Sequence, residues 1–371
     1  MKHAKILVIG GGIGGLTSAI ALRQQGFEVE VIEKDPDWSV YGVGIIQQSN
    51  VVRAMSQLGI LDEYLEAAFG FDYIEAFLPN GERIARIPSH PLVEGKPANL
   101  GVSRAALHRV LGDSAKRAGA HIRLGVTADA LKDDGMGVTA RFSDGTEGRY
   151  DLVVGADGVY SDTRAQIMPG APEPEFTGQS VWRYNFDRPS DMDCLRSYEG
   201  SVGVGLVPLS KTLMYMFVTT PEPDNPRYPR KGLAAVMRGK LDGAAPAMKA
   251  LAEQITEDDG VVYKPQECVF LDGDWHAGRV VLLGDAVHAT TPHLGQGAGL
   301  AIEDAVVLAE ELAKAATPEE AFRAYRDRRF ERCRFIVATS RAICNSQLGK
   351  GPYVDHAKAS AEAFQVMARP I

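Results

Sequence analysis

Two histidines, His288 and His293, stand five residues apart in the stretch GDAVHATTPHLGQGAG, which runs from Gly284 to Gly299 and also holds Asp285 and glycines at 295 and 297. Such a loop has three chemical readings. Imidazoles with a carboxylate are common ligands of a transition metal. A histidine near an aspartate is a common general acid–base pair. A glycine run that opens a helix presents free backbone N–H groups to an anion. The cysteines lend the metal reading no support: Cys194, Cys268, Cys333 and Cys344 include no CxxC pair and no ligand-like spacing. Free thiols in a reducing cytosol are expected instead, and no metal.

The elements that must position this loop recur elsewhere in the chain. In AKILVIGGGIGGLTSAIALRQQGFEVEVIEK, the apolar run Ile6 to Ile9 suits a strand buried on both faces. Gly10, Gly12 and Gly15 follow in GxGxxG spacing, and Leu16, Ala19, Ile20 and Leu22 mark a helix that Gly26 ends. A second strand then closes at Glu33. Gly10 permits the tight turn, Gly12 lets backbone approach a pyrophosphate, and Gly15 lets helix and strand pack closely. The helix N-terminus favours the phosphates, and Glu33 stands where a carboxylate can accept from an adenosine ribose. The stretch YDLVVGADGVYSDTR repeats the grammar: a strand over Leu152 to Val154, a Gly-Ala-Asp-Gly turn, and a helix start near Ser161, with Asp157 and Arg164 as polar landmarks. The opening loop is the third case, with a strand over Val280 to Leu283 before Gly284-Asp285 and a long helix over about Ala298 to Ala315.

Bulk composition sets limits on the rest. The 371 residues are 45% apolar and 24% charged, an ordinary globular balance with room for two domains. A net charge of −8 argues against a general nucleic-acid binder. No apolar stretch is long enough to span a bilayer and none at the N-terminus suits a signal peptide, so no membrane partner and a cytoplasmic location are expected.

Taken together, GGGIGG with Glu33, GADGVYSDTR and GDAVHATTPHLGQGAG resemble the single-component FAD-dependent monooxygenases, the aromatic hydroxylases related to 4-hydroxybenzoate hydroxylase. SRAALHRVL, Ser103 to Leu111, is similar to that family's segment with a flavin-contacting arginine, here Arg104. The resemblance implies FAD as cofactor, NADH or NADPH as a transient co-substrate, and O2. It implies FAD contacts from Gly10, Gly12, Gly14, Gly15, Glu33, Lys34, Arg104 and Val126. Asp157 and Gly158 would serve FAD and the pyridine nucleotide, and Asp285 the ribityl chain or pyrophosphate. The amides of Gly295, Gly297 and Ala298 would face the flavin's pyrimidine edge, where reduced flavin carries negative charge that a helix N-terminus favours. The implied reaction is hydroxylation of a small aromatic or heteroaromatic ring, phenol-like or an aromatic acid, through a C4a-hydroperoxyflavin. Two other readings stay open: a flavin dehydrogenase or reductase that inserts no oxygen, and a non-catalytic FAD-bound sensor. The absence of a second strand–GxGxxG–helix unit sets the chain apart from flavin disulfide reductases.

The expected fold is α/β: a Rossmann-like FAD-binding domain with an inserted, mainly antiparallel β-sheet substrate domain and C-terminal helices. Residues 1–71, 100–174 and 277–371 would form the first, and 72–99 and 175–276 the second. Hairpins are expected at Asn80-Gly81 and Asp144-Gly145, adjacent strands over residues 201–210 and 212–220, and one long helix after about residue 318 whose arginine-rich face is solvated. Substrate-side candidates are Gln48 in a loop beside the flavin, Arg183 as partner of an anionic group, Tyr215 on a predicted strand, and His293 in the flavin loop. An interdomain salt bridge fits Arg183 equally, and a packed core residue fits Tyr215. His288 is read as structural. The oligomer is expected to be a monomer or homodimer.

Overall fold

The computed structural model describes residues 3–39, 42–198 and 202–371. Ser201, the first residue of one expected strand stretch, lies outside them; the strand runs Val204–Pro208. Strand Lys5–Ile9 has Ile6, Leu7 and Val8 fully buried, as a strand covered on both faces requires. It pairs in parallel with Leu152–Gly155 on one side and Glu28–Glu33 on the other. The six-stranded sheet continues through Val280–Leu282 and His276–Ala277 at one edge and His121–Leu124 at the other. The three loop motifs therefore leave the sheet side by side, at the carboxyl ends of its central strands, where open α/β sheets bind ligands. Helix Ile13–Gln24 packs against helix Gly297–Lys314. A Cβ on Gly14 would lie 2.9 Å from Leu283 Cδ1 and 3.5 Å from Ala301 Cβ, so a small residue there sets how closely they approach.

A seven-stranded sheet supplies the second layer, in the order Val262–Cys268, Glu175–Asp187, Leu213–Pro221, Val204–Pro208, Leu195–Tyr198, Tyr73–Phe77, Arg83–Pro88. Its pairs are antiparallel except Leu195–Tyr198 with Tyr73–Phe77. The expected hairpins turn at Gly81 and Gly145, both with φ near +85°. Alternation decides what each face does. Trp182, Tyr184, Met214, Met216 and Val218 pack under helix Leu233–Lys240. Tyr215 and Phe217 point the other way and join Val43, Ile46 and Phe69 from the flavin side. A small sheet of Gly44–Gln48, Asn99–Ser103 and Ala68–Phe71 joins the layers. Gly101 permits that junction, since a Cβ there would sit 1.9 Å from the Pro208 carbonyl oxygen.

The long helix spans Pro318–Gln347 and starts with a capping box between Thr317 and Glu320. Its arginines correct the expectation of a solvated face. Arg323 and Arg334 do pair in solvent, but Arg329 and Arg332 are buried. Arg329 binds Glu303 and Asp304, each at 2.7 Å, and Arg332 binds Glu303 at 2.8 Å. Glu303 and Asp304 lie on the buried side of helix Gly297–Lys314, and carboxylates in that position need cations from the facing helix. Arg332 and Arg53 also donate to the Met367 and Ala368 carbonyls, holding the end of the last helix, His356–Ala368.

Candidate active site

Backbone geometry at the first glycine motif leaves little choice of residue. Gly10 has φ +108°, and a Cβ on it would lie 2.5 Å from the Ala156 carbonyl oxygen; one on Gly15 would lie 1.9 Å from the Gly10 carbonyl oxygen. Gly12 differs: nothing lies within 4 Å of its Cβ position, which leaves the helix N-terminus open to an incoming group. Glu33 accepts the Gly11 N–H at 2.8 Å. The Gly11 carbonyl meets Trp38 Nε1 and His108 Nε2, both at 3.0 Å, and no local pattern in the sequence marks that pair. A cleft of about 220 Å³ opens here, lined by Gly10, Gly12, Glu33, Lys34, Asp157 and Gly158. Thr127, Tyr160 and Asp162 also line it and were not anticipated. Val126 packs in the core and donates its N–H to the Glu33 carbonyl at 2.9 Å.

The two aspartate loops do different work. Asp157 is committed locally: it accepts from Ser161 Oγ at 2.5 Å and from the Thr163 N–H at 2.9 Å. Arg164, buried, donates to the Ala286 and Val159 carbonyls, each at 3.0 Å, and so fastens one loop to the other. Asp285 makes no hydrogen bond or ion pair among the described residues. Its carboxylate lies deep in the fold yet keeps water-accessible surface, as a group lining an internal cleft does. Burial raises its pKa, with His288 and Arg104 opposing.

Side chains from four distant segments stand near one another, Asp285 among them. Arg104, at the start of helix Arg104–Arg117, interacts with Asp285 and Tyr215, and Arg183 interacts with Arg104 and Tyr215. Neither guanidinium has a hydrogen bond or ion pair among the described residues. Burial, and then the charge of Arg104, brings Arg183 down to about 10. Burial raises the Tyr215 phenol, with Arg183 and Arg104 opposing. The Tyr215 ring lies flat enough on the backbone that a Cβ on Gly44 would be 2.4 Å from it. These groups fit FAD: an open glycine turn for a pyrophosphate, a ribose-side carboxylate, and an arginine and aspartate near each other with no hydrogen bond or ion pair among the described residues.

Gln48 and His293 are engaged with protein. Gln48 Nε2 donates to the Leu294 carbonyl at 2.9 Å and its Oε1 accepts from Gln296. His293 uses both nitrogens, Nδ1 with Thr291 Oγ1 at 2.9 Å and Nε2 with Gln347 Oε1 at 3.0 Å. An amide oxygen only accepts, so the proton is assigned to Nε2. His288 is fully buried against Asp304 at 2.6 Å, and Arg329 occupies the other side of that carboxylate. Despite burial, His288 and Arg329 hold Asp304 down at about 2. The cluster of His288, Asp304 and Cys333 has metal-ligand residue types, but it is an ion-pair centre completed by arginine.

The neutral His293 carries a pH prediction. Burial pushes it down to about 4, against the Gln347 hydrogen bond and aided by His356. The unfolded chain protonates near pH 6.5, so its contribution is intact above that pH and is lost as pH falls toward 4. Partial exposure of the ring trims the loss to about 1–2 kcal/mol. Urea unfolding at pH 7 and pH 4.5 should show His293→Asn losing that much less than the parent; equal losses would assign the effect elsewhere.

Comparison with known proteins agrees with this geometry. The family model described as "FAD binding domain" matches residues 3–340. FAD-dependent urate hydroxylase of Klebsiella pneumoniae subsp. pneumoniae is 32% identical over 357 residues, covering 93% of this chain and 91% of the relative. 6-Hydroxynicotinate 3-monooxygenase of Bordetella bronchiseptica is 31% identical over 353 residues, covering 91% and 90%. The crystal structure of Klebsiella pneumoniae HpxO complexed with FAD and uric acid superposes with a TM-score of 0.85 at 29% identity, covering 99% of this chain and 93% of that one. A dehydrogenase or a flavin sensor would share the cleft, but the similarity to oxygen-inserting enzymes runs nearly end to end. The chain belongs to the FAD binding domain family, as an FAD-dependent monooxygenase of the aromatic hydroxylase group that draws on NAD(P)H and O2.

Proposed function

We propose that the enzyme hydroxylates a small nitrogen heteroaromatic ring that binds as an anion. The observation that carries this reading is Arg183, a half-buried guanidinium beside a second one, Arg104, with no hydrogen bond or ion pair to an acid among the described residues. A buried cation without an anion is costly, and a ligand that supplies one is favoured by the same amount. Urate and 6-hydroxynicotinate, named for the relatives, are anions of this type.

FAD supplies the redox chemistry, taking a hydride from NADH or NADPH and activating O2. The chain's residues bind and orient. Gly10, Gly12, Gly14 and Gly15 admit the pyrophosphate, Glu33 and Lys34 flank the ribose, and Arg104 and Asp285 reach the ribityl side. The Gly297 and Ala298 amides would face the pyrimidine edge; the Gly295 N–H, expected to join them, is instead donated to the Pro292 carbonyl at 3.0 Å. Arg183 holds the substrate anion, and Tyr215 offers its hydroxyl to the ring while its body excludes water. Gln48 and His293 form walls, the latter as a neutral imidazole. Asp157 and Gly158 line the cleft, and Val126, expected to touch FAD, packs in the core behind it.

In this reading residues 1–71, 100–174 and 277–371 hold FAD, and 72–99 with 175–276 cover its ring. Among the described residues no helix is long and apolar enough to cross a membrane. The four cysteines are free and buried, which suits a reducing cytoplasm. The test is a panel of heteroaromatic acids, hydroxypyridines and neutral phenols, scored for ¹⁸O from O2 in the product and for NAD(P)H oxidation against peroxide release. Labelled product confined to neutral rings would sink the anion reading.

A further inference from the structure

The turn that precedes helix Gly297–Lys314 is held by a chain of carboxamides that local sequence gives no reason to expect. Asn50, 1% exposed in the first turn of helix Ser49–Gln57, forms a reciprocal pair with Gln296. Asn50 Nδ2 donates to Gln296 Oε1 at 3.1 Å, and Gln296 Nε2 donates to Asn50 Oδ1 at 3.2 Å. The direction of this pair is imposed from one end. Asn50 Nδ2 also donates to Glu303 Oε1 at 3.2 Å, and an ionised carboxylate only accepts. With Asn50 so fixed, Gln296 must turn its N–H groups outward, and one reaches Gln48 Oε1. Gln48 then donates to the Leu294 carbonyl at 2.9 Å. The chain thus starts at Glu303, inside the helix, and ends at Leu294, on the far side of the turn. Between those ends lies Gly295, with φ +65°, and a Cβ on Gly299 would stand 2.8 Å from Gln296 Oε1. The turn is gripped from both sides: the Gly295 N–H is spent on the Pro292 carbonyl at 3.0 Å, and the N–H groups of Gly297 and Ala298, in the first turn of the helix, are left without a backbone acceptor among the described residues.

We propose that Asn50 is a positioning residue for the reduced flavin: through Gln296 and Gln48 it fixes the aim of the free amides at Gly297 and Ala298 toward the negative charge that reduction places on the pyrimidine edge. This rests on the reading of that turn as the pyrimidine site. Oriented N–H groups act as fixed partial charges, and their effect falls quickly when the aim is lost. The oxidised ring, which carries no such charge, depends on them less.

The experiment compares Asn50→Leu holoenzyme with the parent by spectroelectrochemical titration of bound FAD and by the absorption bands of the oxidised flavin. Reduced FAD should lose about tenfold more affinity than oxidised FAD, moving the two-electron potential about 30 mV more negative. Gln48→Met cuts only the last link, at a partly exposed site, and should move the potential the same way by less. If Asn50→Leu does not fold, Gln48→Met carries the test. An unchanged potential in either folded holoenzyme overturns the proposal. Gly297→Ala separates this from failure of the underlying reading: it keeps the backbone N–H but sets a methyl between the turn and a ring lying on it, and its Cβ meets nothing nearer than Thr290 Cγ2 at 3.5 Å, so the fold is spared while the environment of a flavin bound there changes. A potential moved by Gly297→Ala but not by the amide variants leaves the turn as the flavin site and removes Asn50 from it. A potential moved by none of them refutes both.

Discussion

Replacing Arg183 with glutamine lowers kcat/KM for an anionic heteroaromatic substrate by about 100- to 1,000-fold, with FAD still bound. The magnitude comes from the environment. Arg183 stands in strand Glu175–Asp187 between Phe217 and Val262, on the face turned to the flavin side. Burial and Arg104 together destabilise its charge, down to about 10. A substrate anion reverses both effects at once, and truncating one partner of a desolvated charge pair costs about 2–5 kcal/mol. The predicted loss uses about 3–4 kcal/mol of that range. Substrate and transition state are both anionic, so most of the change falls on KM. Arg183→Lys keeps the charge but not the planar fork and should fall between the two. Steady-state kinetics with a neutral analogue supply the check: parent and glutamine variant should converge there. An equal loss with neutral and anionic rings would make Arg183 a structural residue.

Arg183 and Tyr215 were legible as candidates because strand alternation limits each to one of two faces. The same holds for the glycine motifs. Gly10 and Gly15 are dictated by turns of a few residues, and their spacing carries the whole signal. What stayed illegible depends on partners far away in sequence. Nothing near Asn50 announces Gln296, and nothing near Arg329 announces Asp304. An arginine in a polar helix reads as solvated until the facing helix is known to bring buried acids. His293 illustrates the converse. Its place in the flavin loop was evident, but its engagement with Gln347 depends on the end of a helix more than fifty residues on. Local chemistry thus marked the glycine turns, and the second layer of side chains packed behind them emerged only with the fold.

That second layer carries the largest stability effect, at Arg329. Replacing it with methionine is expected to cost about 3–5 kcal/mol, the range for removing one partner of a buried ion pair. Arg329 is fully buried and bridges two adjacent carboxylates, Glu303 and Asp304, at 2.7 Å each. Glu303 keeps Arg332 when Arg329 is lost, so the damage concentrates on Asp304, left with His288 and the Gly284 N–H. Gly284 has φ +62° and sets the start of the Asp285 loop, so the loss should reach the cofactor as well as the fold. Urea unfolding of the apoprotein measures the first, and FAD titration the second, with affinity expected to fall by about tenfold or more. Arg323→Met on the same helix is the control: its pair with Glu319 is more than 60% exposed on both sides and should leave the unfolding midpoint unchanged. If Arg329→Met matches that control, the buried acids are held by their remaining partners and Arg329 is dispensable. If it unfolds the apoprotein while added FAD restores the fold, the damage is to stability alone, because a ligand that binds only the folded state raises stability with its concentration; weaker FAD affinity of the folded variant is the result that links this ion-pair centre to the Asp285 loop.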